Sequence, residues 1–182
     1  CIMRSSVIYP AIVMFICIGC LTCKPDGKKE AASYDKKRDT LFLGNTQTVN
    51  IHQAALEGQT TLVRSLLEKG IDVNIQDEDG RTPLMYAAFN GHQELIRLLV
   101  EKGAVVDISD NNGRTALMMA SSGPFPAAVK FLLDHGSDPN VTDSEEHYSA
   151  LMYAANEGQT DVVKILLAYR ADPTLKDADG DD

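Results

Sequence analysis

Tryptophan is absent from the 182 residues, and aromatic side chains make up only 6% of them. A conventional single core leans on a few large aromatics, so here the apolar content has to pack as Leu, Ile, Val and Ala. Cysteine is absent beyond Cys23; Cys1, Cys17, Cys20 and Cys23 all lie in the first 23 residues. No disulfide framework or zinc cluster can be built from cysteines in the rest of the chain. Basic residues are scarce in the body. Residues 46–182 carry 10 Lys/Arg against 22 Asp/Glu, whereas residues 1–45 carry 7 against 4. An acidic body argues against nucleic acid as a partner, because phosphate binding needs a basic surface. Acidic loops keep a folded array soluble, and they permit basic protein partners.

A long hydrophobic run is also missing. Val7 to Gly19 is a run of 13 residues with no charge, short of the ~20 that a transmembrane helix needs. It follows Met3-Arg4 and suits the hydrophobic region of an export signal. The run ends at Gly19-Cys20, which resembles a bacterial lipoprotein signal. That resemblance implies cleavage before Cys20, lipid on Cys20 and a membrane-tethered protein exported to the cell envelope. The family favours Leu three residues before the Cys and a small residue two before; here those places hold Cys17 and Ile18. A cleaved signal without lipid, an uncleaved anchor and a cytosolic protein are the alternatives. Because Cys1 precedes Met3, either Met3 is the true start or the sequence is a fragment. Residues 1–19 are thus read as signal-like and 20–45 as a flexible linker, since 24–45 is polar, mixed in charge and without apolar period. The Lys28-Lys29 and Lys36-Lys37-Arg38 clusters are placed to touch anionic headgroups, although a solvated linker accounts for them as well.

Catalytic and metal-binding patterns are missing too. His52, His92, His135 and His147 fall in no H-x-x-x-H or H-E-x-x-H spacing, and no nucleophile-elbow, dinucleotide or phosphate loop occurs. The D-x-D-G strings fail as calcium loops. With Gly80 at the sixth place, the first and third fall on Ile75 and Asp77, and the closing Glu is missing. No metal and no cofactor are expected.

What the chain has is repetition. Asp77–Ser109 and Asp110–Thr142 are units of 33 residues, and Asp143–Lys176 is the same unit with one residue added in its opening turn. Asn50–Gln76 is a unit without that turn, and a fifth begins at Asp177-Ala178-Asp179-Gly180. Within a unit, Asp79-Gly80 and Asn112-Gly113 are turn dipeptides. Thr82-Pro83 starts a helix, Thr as cap and Pro in the first turn. Leu84, Ala87 and Ala88 recur at helical spacing, and the alanines let helix pairs approach closely. Gly91 ends the first helix. Leu95, Ile96, Leu98 and Leu99 form the apolar face of the second, and Gly103 ends it. One unit cannot bury this surface alone, so units have to stack.

The unit closely resembles the ankyrin repeat, D-x-x-G-x-T-P-L-x-x-A-A-x-x-G-x followed by an apolar helix ending in L-L-x-x-G-A-D. The resemblance implies an all-α solenoid of helix-turn-helix units joined by β-turn or hairpin loops, spanning 46–182 with units at about 46–76, 77–109, 110–142 and 143–176. Departures are local. Gly123-Pro124-Phe125-Pro126 replaces the inter-helix turn of the third unit, and Pro126 suits only a first helical turn, so that corner has to be rebuilt. Glu146-His147 replaces a turn glycine, Arg170 replaces the glycine ending a second helix, and Met85, Met118 and Met152 stand where the signature has the His seen at His52.

The resemblance further implies a non-enzymatic module that binds a protein partner in a groove, with no small-molecule substrate. An ankyrin region of a longer enzyme or of a secreted effector is the alternative, the array stopping inside its fifth unit. Matching positions place the binding surface on the turn tips Glu78, Asp79, Arg81, Asn111, Asn112, Arg114, Ser144, Glu145 and His147. It continues over the first-helix ends Leu56, Glu57, Phe89, Asn90, Ser122, Asn156 and Glu157 and the second-helix ends Lys69, Lys102, His135 and Tyr169. Phe89 occupies an outward position, where an exposed aromatic suits an interface anchor or is a lone surface residue. Arg81 and Arg114 share one register; they either form a fork for a partner carboxylate or pair with nearby Asp and Glu.

Overall fold

A computed structural model describes residues 33–35, 40–43 and 47–180, with side chains from Asn50 to Gly180. These belong to one compact unit, Ala31–Asp182. The signal-like segment 1–19 and Cys20 lie outside the described residues. The 20–45 stretch, expected as a flexible linker, differs where it is described. Strands β1 (Ser33–Asp35) and β2 (Thr40–Leu43) pair antiparallel, and β2 pairs with β3 (Gln47–Asn50). Thr40-Leu41-Phe42-Leu43 is a run of β-branched, aromatic and aliphatic residues that favours extended backbone, a local signal that the overall polarity of the segment masked.

Eight helices follow among the described residues, in four pairs: α1 (Ile51–Leu56) with α2 (Thr60–Glu68), α3 (Pro83–Phe89) with α4 (Gln93–Glu101), α5 (Ala116–Ser121) with α6 (Pro126–Asp134), and α7 (Ala150–Asn156) with α8 (Thr160–Ala168). The first helices pack as a row α1-α3-α5-α7 and the second helices as a row α2-α4-α6-α8. The expected all-α solenoid is present. Its close spacing follows from the alanines: Ala55, Ala87, Ala88, Ala120 and Ala154 are fully buried where first helices meet. Leu66, Leu99, Leu132 and Leu166 hold the same place in each second helix and are all buried, each fully buried leucine being worth ~1.5–3 kcal/mol.

Each first helix starts on a capping oxygen. Asn50 accepts from the His52 and Gln53 N–H groups, and Thr82, Thr115 and Ser149 accept from Met85, Met118 and Met152. In two units the methionine reciprocates: its Sδ lies 3.5 Å from the Thr82 N–H and 3.4 Å from that of Ser149. Methionine therefore stands in the His column as a weak acceptor inside a capping box.

The departures are absorbed locally. In the other units the N–H that opens the second helix bonds five residues back, as His92 N–H does to Ala87 O at 2.9 Å. Pro124 cannot adopt the left-handed backbone that this turn uses (Gly91 φ +64°). Phe125 N–H instead bonds Gly123 O at 2.8 Å, so the corner is rebuilt as expected. His147 (φ +55°) and Arg170 (φ +66°) hold left-handed backbone where other units have glycine. The longer fourth turn closes from Asp143 N–H to Tyr148 O at 3.0 Å.

Candidate protein-binding face

In the second, third and fourth units the first-helix row and the turn tips share one carboxylate each. The Oδ1 of Asp77 accepts from the Asp79 and Arg81 N–H groups, that of Asp110 from Asn112 and Arg114, and that of Asp143 from Glu145 and Glu146. Each aspartate so builds its own turn. The second oxygen is satisfied from the helix face or from the turn. The Tyr86 hydroxyl donates to Asp77 Oδ2 at 2.6 Å, and the Tyr153 hydroxyl to Asp143 Oδ2 at 2.6 Å. In the third unit Met119 takes the tyrosine position, and Arg114 supplies the donors instead, with Nε at 3.1 Å and Nη2 at 3.0 Å from Asp110 Oδ2. Arg81 approaches the same oxygen at 3.6 Å and Asp79 at 3.5 Å. The arginine fork is therefore directed at Asp110, whose side chain is 1% exposed.

These bonds set the protonation of the turns. Burial pushes the Asp77 carboxyl up, but the Tyr86 hydroxyl and the Arg81 and Asp79 backbone N–H groups outweigh it and hold it below the usual carboxylate range. Asp143 is likewise depressed: burial opposes, while the Tyr153 hydroxyl and the backbone N–H groups of the turn prevail. Burial, together with the bond to its aspartate, raises both tyrosines above their ordinary value.

Phe89 stands out from this face, 52% exposed, and separates two hollows. One, of about 330 Å³, is lined by Leu56, Met85, Tyr86, Phe89, Met119, Arg81 and Arg114. The other, of about 370 Å³, is lined by Phe89, Met118, Met119, Ser122, Tyr153, Arg114 and Glu157. Both hollows hold apolar or aromatic walls with an arginine at the edge. A smaller hollow of about 200 Å³ continues past Tyr86 to Gln53 and Asn50.

This is four helix pairs stacked in register, with first-helix ends and turn tips along one surface. The model for three copies of the ankyrin repeat matches residues 51–143, and the single ankyrin-repeat model matches 146–178. The chain belongs to the ankyrin-repeat family. No match was found among curated proteins.

Of the residues expected on the ankyrin groove, Arg81, Phe89, Arg114 and Glu157 meet around the two hollows, with Leu56 and Ser122 beside them. Others tie units together. The Asn90 amide donates to Leu56 O at 2.7 Å, and the Asn111 amide to Glu78 O at 3.0 Å. Backbone bonds stack the tips, Asn111 N–H on Asp79 O and Ser144 N–H on Asn112 O, each at 2.9 Å. Glu145 and His147 are exposed on the longer fourth turn, and Asn156 is exposed at the end of α7. Tyr169 sits in the second-helix row, where its hydroxyl bonds Asp134 and Lys130 of α6; it lines neither hollow.

Tyr86, Met119 and Tyr153 were not singled out from the sequence. Their signal was there: they precede the paired small residues of successive units, in a column the signature leaves free, and each unit's opening aspartate needs a second partner. Among the described residues no three His, Cys, Asp or Glu side chains gather to hold a metal ion.

Proposed function

We propose that this ankyrin domain binds a protein, and that the partner lies across the first-helix face with Phe89 as its anchor. Ankyrin-repeat proteins are typically non-enzymatic interaction modules, which supports reading this chain as a binder. The observation that carries the reading is Phe89: a half-exposed aromatic flanked by two hollows of about 330 and 370 Å³. Each hollow has room for apolar side chains of a partner, and an aromatic between them contributes large contact area at low entropic cost. The acidic body supports a protein in preference to nucleic acid.

A binder selected from a displayed protein library against the full chain tests this. Phe89→Ala is expected to weaken it by about 30-fold or more, while Val105→Ala, which trims an equally exposed apolar residue on the turn between α4 and α5, leaves it unchanged. Equal affinity in the two variants overturns the assignment of the face.

The same reading places the domain in the cell envelope, tethered through lipid on Cys20. Its support is the sequence of the first 23 residues, with Met3-Arg4, the 13-residue uncharged run and Gly19-Cys20. No described helix is long and apolar enough to cross a membrane. Metabolic labelling with a fatty acid is expected to mark the parent and not Cys20→Ser; equal label in both removes lipid from Cys20.

A further inference from the structure

The two hollows beside Phe89 differ in what they leave unsatisfied. The one of about 370 Å³ has Phe89 and Tyr153 among its walls and Glu157 on its edge. Glu157 is exposed, and its carboxylate has no hydrogen bond or ion pair among the described residues. Glu57 holds the same place in the first unit, and its carboxylate accepts from the Gln53 and Gln59 amides. In the fourth unit Tyr153 stands where the first has Gln53, so the amide from one turn back is gone.

The charges around this hollow are unequal. Arg114 lines it, but its guanidinium is engaged with Asp110 Oδ2, Nε at 3.1 Å and Nη2 at 3.0 Å. Asp143 stands behind Tyr153; its Oδ2 accepts the Tyr153 hydroxyl at 2.6 Å, a neutral donor that leaves its charge in place. Helices α3, α5 and α7 also end at this hollow, through Phe89, Ser122 and Glu157, and helix C-termini carry partial negative charge. Asp110 offsets Arg114, which leaves Asp143, Glu157 and the helix ends, all of one sign. The hollow of about 330 Å³ is different. It is walled by Leu56, Met85, Tyr86 and Met119, and both of its arginines are directed at Asp110.

We infer that the hollow between Phe89 and Tyr153 takes a lysine or arginine side chain of the partner, held on the two rings with its charge on Glu157, while an apolar neighbour in the same segment fills the hollow on the other side of Phe89. This rests on the groove reading above and adds the chemistry of the occupant, a segment in which an apolar and a basic residue lie side by side. A cation over an aromatic face is attracted by the ring quadrupole, and its aliphatic stem covers Met118 and Met119.

Selection of a displayed random-peptide library against the full chain, followed by fluorescence anisotropy with the leading peptide, tests this. The enriched peptides are expected to share a lysine or arginine beside an apolar residue. Glu157→Gln, at an exposed position, is expected to weaken the leading peptide about 10-fold and to flatten its dependence on salt between about 50 and 300 mM. Glu57→Gln is expected to change neither. A peptide with norleucine in place of the basic residue is expected to bind the parent and Glu157→Gln alike, and Glu157→Lys to prefer a peptide with glutamate there. Enriched peptides that lack a basic residue overturn the inference, as does a basic peptide whose affinity Glu157→Gln leaves unchanged. If Phe89→Ala still weakens that peptide, the face stands and its cation site falls. If Phe89→Ala has no effect, or the selection yields no peptide, both readings fall.

Discussion

The second and third units carry the same aspartate at the same place and hold it in different ways. Asp77 is closed by the Tyr86 hydroxyl, a neutral donor from the helix face. Asp110 is closed by the Arg114 guanidinium from its own turn, with Arg81 approaching from the unit before. The difference teaches what the repeat requires. It does not require a tyrosine or an arginine; it requires that both oxygens of a carboxylate sunk into the turn be satisfied. The third unit, with Met119 where its neighbours have tyrosine, solves the problem with charge, and the solution couples two units.

That comparison breaks most visibly at Asp110. In Asp110→Ala the turn loses the acceptor for the Asn112 and Arg114 N–H groups, and Arg114 is left three-quarters buried without its carboxylate. Removing one partner of a buried pair costs about 3–5 kcal/mol. Asp77→Ala releases a neutral hydroxyl that can turn to water and costs less, about 1–3 kcal/mol. Urea unfolding of both variants checks the order, and equal losses would mean that the two solutions are equivalent after all.

A second contrast concerns the glycines that end helices. Gly91 (φ +64°) lies under the Phe125 ring, and a Cβ there would run into the ring; Gly103 (φ +92°) has open space around its Cβ direction. Gly91→Ala therefore suffers both backbone strain and a steric conflict across units, about 2–4 kcal/mol. Gly103→Ala suffers the backbone term alone, about 1–2 kcal/mol. In the first unit the same slot is filled by His92, whose ring lies 2.7 Å from a Cβ placed on Gly58 and whose Nε2 donates to Leu56 O at 2.9 Å. Phe125 keeps the ring and gives up that bond.

Much of this was legible in the sequence, and the limits have physical causes. The 33-residue period, the capping residues and the alanine pairs are local features, so unit boundaries and helix faces followed from them. The rebuilt corner was legible too, because proline forbids the backbone that the turn needs. The arginines were legible as two alternatives, and pairing with nearby Asp is the one present. Whether Arg81 and Arg114 serve a partner or Asp110 depends on the distance between neighbouring turns, which no single unit encodes. Tyr86 and Tyr153 went unnoticed for the same reason: their role is a bond to a residue nine or ten positions earlier, and it exists once the turn folds back over the helix. For Tyr169 the sequence gives a column, and the structure adds the partners of its hydroxyl, Asp134 and Lys130 in the second-helix row.

The two tyrosine-held aspartates also make stability depend on pH. Asp77 and Asp143 have folded-state pKa values below their unfolded ones. They contribute stability that is present above the unfolded carboxylate value of ~4 and is lost as pH falls through the lower folded value. Tyr153→Phe removes the strongest of the bonds that depress Asp143. Its folded pKa is expected to rise toward the unfolded one, so less stability is left to lose in acid. Melting temperatures between pH 6 and pH 2.5 check this: the gap between parent and Tyr153→Phe should narrow as pH falls. A gap that stays constant would assign the tyrosine's contribution to packing.

The smallest effect comes from a strut on the far side of the units. Asn74 bridges its neighbour twice, its amide donating to Gly103 O at 3.3 Å and its carbonyl accepting from Val105 N–H at 2.8 Å. Asn140 does the same between Arg170 O and Asp172 N–H, at 3.4 and 2.7 Å. Between them the same column holds Asp107, which accepts from Asp138 N–H at 3.2 Å. A carboxylate has no proton to donate, so the Gly136 carbonyl lacks the bond that Gly103 and Arg170 receive. Asp107→Asn supplies that donor and removes one negative charge from an acidic body. The expected gain is about 0.5–1 kcal/mol, read as a rise of a few degrees in melting temperature. Installing the opposite defect, Asn140→Asp, should cost a similar amount. If Asp107→Asn gains nothing while Asn140→Asp loses, the Gly136 carbonyl is already served by water, and the strut matters only where two units would otherwise part.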